Sequence, residues 1–147
     1  MNTCIIPRII NRSTKNIDLN CLRFTLQGIS FIHKEMEKVV SQKNIIIQDV
    51  IGSNKNIEGL TELYNNKIFI RSDMINNILV CTLLLLHELY HSVGLDHCIN
   101  QKCIMSIHVY NKKRKYYWKE LANSQFKRMS YKTLLCVQCQ NLIKQLV

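Results

Sequence analysis

Residues 87–97 read H-E-x-x-H-x-x-G-x-x-H, with His87, Glu88, His91, Gly94 and His97 at the fixed places. His87 and His91 stand four residues apart, so on a helix they share one face and can grip one ion. Zinc suits imidazole ligands, and when three of them hold it one coordination position stays open for water. Glu88 sits beside the first histidine without being needed as a ligand, where a general base for a metal-activated water belongs. Gly94 can take the positive φ that ends a helix, after which the chain can swing His97 back as third ligand. At ordinary residue frequencies the full pattern arises by chance in on the order of one chain of this length in 10⁵. The competing reading, three unrelated histidines satisfied in a core or on a surface, leaves the agreement of spacing, carboxylate and glycine unexplained.

A second constellation begins where the first ends. Cys98 and Cys103 form a C-x4-C pair, and Cys136 and Cys139 a C-x-x-C pair, with 32 residues between Cys103 and Cys136. Four thiolates make a closed tetrahedral site, which is structural rather than catalytic. A zinc ion there would clip a long loop and stabilise a small domain; free buried thiols are the alternative. The remaining cysteines, Cys4, Cys21 and Cys81, lie among apolar residues and read as buried small hydrophobes. Met105, eight residues after His97, reads by itself as a core methionine. Because His97 and Cys98 are neighbours, the two metals are expected to be mechanically coupled.

These side chains need elements to hold them. Residues 3–10 read as a strand, placed at an edge or a strand end by Pro7. Over 18–41, Leu22, Leu26, Ile29, Ile32, Met36 and Val39 recur at intervals of three or four, which predicts one helix with Asp18 as its N-cap. The alternation of Leu22, Phe24 and Leu26 leaves a strand open for its first third. Residues 44–51 are β-branched and predict a buried strand. Residues 57–71 predict a hairpin turning at Asn65-Asn66, since Asn tolerates the positive φ of a tight turn. Ser72 or Asp73 then caps a helix over 74–93 that carries the histidine motif. The order strand, helix, strand, hairpin, helix predicts an α/β sandwich whose sheet lies against the motif helix. Further on, a helix over 118–129 is predicted, and Leu142, Ile143 and Leu146 have helical spacing near the end.

The chain of 147 residues suits one compact domain, and its 47% hydrophobic share is that of a globular protein. The apolar run before His87 is far shorter than a membrane span, so no membrane association is expected. Seven cysteines is an odd number, and no secretory signal is visible near Met1; a reducing, intracellular setting, cytoplasmic or nuclear, is expected. The net charge of +10 is uneven: residues 1–105 carry 11 Lys/Arg against 9 Asp/Glu, whereas residues 106–147 carry 9 against 1. Over 106–135, Tyr110, Tyr116, Tyr117, Trp118, Phe126 and Tyr131 lie among eight Lys/Arg. Such a segment could grip nucleic acid, form a lid whose tyrosine stabilises an oxyanion, or be a solvated surface.

H-E-x-x-H-x-x-G-x-x-H-C, then x4-C-x-M, then a later C-x-x-C, resembles the archaemetzincins, a family of metzincin peptidases with a second zinc on four cysteines. The match runs residue by residue from His87 to Met105, and Cys136 and Cys139 follow by pattern. The resemblance implies an α+β, metzincin-like fold: a small mixed sheet, a backing helix (here 18–41) and an active-site helix. It implies a cleft between an upper subdomain, here 1–94, and a zinc-clipped lower one, here 95–147. It also implies a catalytic zinc on His87, His91 and His97 with Glu88 as base, a structural zinc on Cys98, Cys103, Cys136 and Cys139, and Met105 as the family's methionine. Thirty residues, 106–135, separate Met105 from Cys136, more than the family usually carries there, and the part before the hairpin is shorter. The expected activity is peptide-bond hydrolysis by a monomer acting on a peptide or protein, aminopeptidase-like or of narrow specificity. The alternative is a non-catalytic zinc module that binds nucleic acid or protein through 106–135.

Overall fold

Residues 44–48 read Asn-Ile-Ile-Ile-Gln, a β-branched run apolar on both faces, and such a run belongs in the middle of a sheet. In the computed structural model, which describes residues 7–32, 36–53, 57–100, 103–106 and 134–146, it is the second strand, with Ile45, Ile46 and Ile47 all buried. The four strands are β1 (Arg8–Asn11), β2 (Asn44–Gln48), β3 (Gly59–Glu62) and β4 (Lys67–Arg71), in the order β1-β2-β4-β3. β2 runs parallel to both its neighbours, whereas β3 pairs antiparallel with β4, so the sheet is mixed. β1 lies at an edge, where a preceding Pro7 costs no ladder hydrogen bond. Register pairs Ile45 with Ile68 and Ile47 with Ile70, and these four isoleucines tile the face turned to the core.

Helix α1 (Leu19–Ile32) starts where Asp18 was expected to cap it: its carboxylate accepts from the Asn20 and Cys21 amides at 3.0 and 3.2 Å. Leu22, Leu26 and Ile29 are buried, whereas Phe24 is 73% exposed. In a strand Phe24 would share the face of Leu22 and Leu26, so the burial pattern excludes the alternating reading. Of the single helix predicted over 18–41, the described residues form α1 and a second helix, α2 (Glu37–Gln42), while 33–35 lie outside the described residues. The apolar stripe continues into α2 through buried Met36 and Val40. Cys21 also departs from expectation: it is exposed, while Cys81 is buried.

The hairpin forms with a longer turn than the predicted two residues. Glu62 pairs with Lys67, leaving 63–66 as the loop, and Asn66 takes the positive φ of 54°. Asn66 is tied to the start of β2: its carbonyl accepts from the Asn44 amide at 2.8 Å and its Oδ1 from Lys43 Nζ at 3.1 Å.

Ser72 and Asp73 do not cap the motif helix. They lie in a 3₁₀ turn (Ser72–Asn76), where Ser72 Oγ donates to Asp49 at 2.7 Å and Asp73 takes the Arg71 guanidinium. The cap is Asn77, whose Oδ1 accepts from the Val80 amide at 3.2 Å, and α3 (Ile78–Ser92) follows. Leu83, Leu84, Leu85 and Leu86 are each at most 1% exposed, so α3 is enclosed on all sides rather than half-buried. Burying each leucine contributes roughly 2 kcal/mol, which makes α3 the centre of the fold. A last helix, α4 (Val137–Leu146), buries Cys139 and Ile143. The basic segment 107–133, with the helix expected over 118–129, lies outside the described residues. Among those described, no helix is long and apolar enough to cross a membrane.

Candidate metal centres and their surroundings

The last turn of α3 and its exit set the histidines. Gly94 has φ 103°; its amide donates to the His91 carbonyl at 2.9 Å and the Leu95 amide to the Tyr90 carbonyl at 3.1 Å. That paired pattern around a left-handed residue is a Schellman cap, completed by the burial of Tyr90 and Leu95. The reversed chain then brings His97 back over the helix. Nε2 of His91 lies 3.1 Å from Nε2 of His87 and 3.0 Å from Nε2 of His97.

These distances distinguish a metal cage from a chance cluster. His87 Nδ1 donates to the Ile104 carbonyl and His91 Nδ1 to the Leu95 carbonyl, each at 2.7 Å. A carbonyl can only accept, so both Nδ1 atoms carry the proton and both Nε2 atoms offer lone pairs. Lone pairs this close repel unless a cation lies between them. Imidazoles bound at about 2.1 Å around a tetrahedral ion stand roughly 3.4 Å apart, near the separations here. Burial drives the rings toward the neutral form that a ligand needs: it lowers His87 to about 3 and His97 to about 4, helped by the neighbouring His91, and it lowers His91 too. The three residues could hold one metal ion.

Glu88 is buried beside them, and burial raises its carboxyl to about 7 although the hydrogen bond from Thr61 lowers it. A carboxyl near neutrality can both take and return a proton at ordinary pH. Thr61 of β3 is a neighbour the sequence reading did not find. Its hydroxyl lies 2.5 Å from Glu88 Oε2 and 2.9 Å from the Glu88 carbonyl.

The four cysteines also meet as expected, their sulfurs all within 4.8 Å of one another. Cys98 and Cys136 bring Sγ atoms to 3.5 Å, and the amides of Asn100 and Cys136 point at the sulfurs of Cys98 and Cys103, at 3.3 and 3.4 Å. Burial pushes the Cys103 thiol up to about 11 and raises Cys139 as well. At Cys136 burial acts the same way, but hydrogen bonds from Cys139, Cys98 and Cys103 outweigh it and the pKa falls. Four converging thiols, two of them buried and two half-buried, with amides aimed at two of the sulfurs, suit a dication that turns them into thiolates, so this set could hold a second ion.

Met105 is fully buried, and its carbonyl accepts from the Cys98 amide at 2.7 Å. Ile104, between Cys103 and Met105, receives the His87 ring proton and donates its own amide to Leu134 at 2.8 Å. A cleft of about 450 Å³ opens beside His97, with Asp96, Leu142 and Leu146 on its walls.

A scan against protein-family models finds no match. A search of curated proteins finds none either. Solved structures do match. The chain is similar to archaemetzincin from Methanopyrus kandleri, with 10% identity, coverage of 99% of this chain and 97% of that one, and a TM-score of 0.58. It is also similar to a zinc-dependent peptidase from Methanocorpusculum labreanum (strain Z), at 15% identity over 88% of this chain and 71% of that one, with a TM-score of 0.44. The fold is thus of the archaemetzincin kind, an α+β architecture with a small mixed sheet.

Proposed function

We propose that this protein is a zinc-dependent metallopeptidase of the archaemetzincin type, hydrolysing peptide bonds. The observation that carries the reading is the convergence of three imidazole Nε2 atoms, two from α3 and one from the chain that returns over it, next to the buried Glu88 of the same helix. The likeness in fold to archaemetzincin supports it.

His87, His91 and His97 would hold the catalytic zinc. When bound, that ion supplies a Lewis acid that lowers the pKa of water to about 7 and polarises a carbonyl. The rest falls to the chain's own groups. Ile104 and Leu95 fix the rings of His87 and His91 through their Nδ1 protons, so that both Nε2 atoms stay available. Glu88 takes the proton of the attacking water on its carboxylate and passes it to the departing amine nitrogen. The enclosure of Glu88 keeps bulk water from competing for that proton. Cys98, Cys103, Cys136 and Cys139 would hold a second, structural zinc, making two ions for each chain.

The substrate is a peptide or protein, and within the class we favour an aminopeptidase or an endopeptidase of narrow specificity. A non-catalytic zinc module has no use for a buried carboxyl next to its metal, because an idle Glu there costs desolvation energy.

The test is a metal count followed by cleavage profiling of a peptide library. Two zinc ions for each chain, and cleavage that disappears in Glu88→Gln, are the expected results. Salt-sensitive nucleic-acid binding without any cleavage would overturn the enzyme reading.

A further inference from the structure

β3 does more than close the sheet beside α3. Gly59 and Thr61 stand two apart on the strand and therefore face the same side, toward Glu88. At Gly59 a Cβ would lie 3.0 Å from Glu88 Oε1, 3.2 Å from its Cγ and 3.1 Å from Leu84 Cδ1. Gly59 therefore leaves the room that the carboxyl occupies. Thr61 then takes hold of it: Oγ1 lies 2.5 Å from Oε2 and 2.9 Å from the carbonyl of the same residue. A glutamate has three rotatable side-chain bonds, and burial alone does not choose among their settings. A hydroxyl bonded to one carboxyl oxygen and touching the residue's own backbone does choose. It leaves Oε1 as the oxygen not engaged by Thr61.

We infer that Thr61 is a positioning residue for the general base, holding Glu88 by Oε2 in the orientation that hydrolysis requires. The inference rests on the metallopeptidase reading above. On this reading Thr61 acts through Glu88, which its hydroxyl engages at both the side chain and the backbone. Its place on the strand beside α3 means that a shift of β3 would be felt at the base before it was felt at the histidines.

Thr61→Val keeps the β-branched shape and removes the hydroxyl, so the strand has no reason to change. A kcat lower by roughly tenfold to a hundredfold is expected, with KM and zinc affinity unchanged. Thr61→Ser, which restores the hydroxyl, should recover most of the rate. Wild-type kcat in Thr61→Val, or a loss carried by KM or by zinc affinity, would overturn the inference. A second measurement needs no turnover. In the zinc-chelated protein, the stability losses of Thr61→Val and Glu88→Ala should fail to add, by about tenfold in the folding equilibrium. Additive losses overturn the inference as well. If instead Glu88→Gln leaves cleavage intact, the metallopeptidase reading fails, and that result is distinct from either outcome at Thr61.

Discussion

The ring of His87 donates its Nδ1 proton to the carbonyl of Ile104, 2.7 Å away and 17 residues further along the chain. Ile104 follows Cys103, and its own amide is bonded to Leu134, two residues before Cys136. The cysteine cluster therefore reaches the histidine cluster at both ends. It reaches His97 through the adjoining Cys98, and His87 through Ile104.

Coupling between the two sites follows from that connection. Cys136→Ser/Cys139→Ser should weaken zinc binding at the histidines by about ten- to a hundredfold, the usual effect of losing a ligand's outer hydrogen-bond partner. Competition against a chromophoric chelator measures it. Unchanged affinity would mean that Ile104 and His97 keep their positions without the thiolate cage.

Glu88→Gln separates metal binding from catalysis. It should retain two zinc ions and lose cleavage by about 10²- to 10⁴-fold, the range of a general base. Metal analysis and a single-peptide assay on the same preparation suffice. Full activity with normal zinc would assign proton transfer to another group.

Gly94 carries the backbone reversal that delivers His97. Its φ is 103°, and among the described residues a Cβ there would meet only Leu146, at 3.6 Å, so Gly94→Ala introduces strain without a clash against them. A loss of about 1–2 kcal/mol in folding stability is expected, together with weaker zinc retention. Thermal unfolding with and without chelator reads both; an unchanged midpoint would contradict the role given to the cap.

The zinc-free protein should lose stability in two pH windows. His87 and His97 fall from 6.5 to about 3 and about 4, so below pH 6.5 the unfolded chain binds protons that the folded one refuses. Stability therefore drops as pH falls through that window. Glu88 works in the opposite direction, because its folded value near 7 exceeds 4.5, and the folded chain keeps a proton that the unfolded one releases. Its burial therefore costs stability as pH rises from 4.5 through 7. Removing the ionisable group, Glu88→Gln should be more stable than wild type above pH 7, by on the order of 1–3 kcal/mol. Denaturant titrations in chelator at pH 5.5 and 8 compare the two. An equal difference at both pH values would show that Glu88 is not held protonated.

Much of the site could be read from the chain because metal coordination demands particular residue types at short spacings. A four-residue spacing on a helix, a glycine at its end and two cysteine pairs leave little freedom, and the seven ligand candidates gather into one set of three histidines and one of four cysteines. The order of elements was also legible, since Ile45, Ile46 and Ile47 announce a central strand and the leucines before His87 an enclosed helix. Local detail was less secure. Asn77, rather than Ser72 or Asp73, caps α3 because Ser72 is drawn to Asp49 and Asp73 to Arg71.

The partners of the reactive groups were decided by the tertiary structure alone. Any residue can offer the carbonyl that Ile104 offers to His87, so no side-chain pattern can reveal it. Thr61 meets Glu88 across 27 residues because the sheet edge lies against α3, and a lone threonine in a hairpin announces nothing. Spacing within one element is set by backbone geometry, which the sequence carries locally. Contact between elements is set by packing, which exists only once the chain has closed on itself.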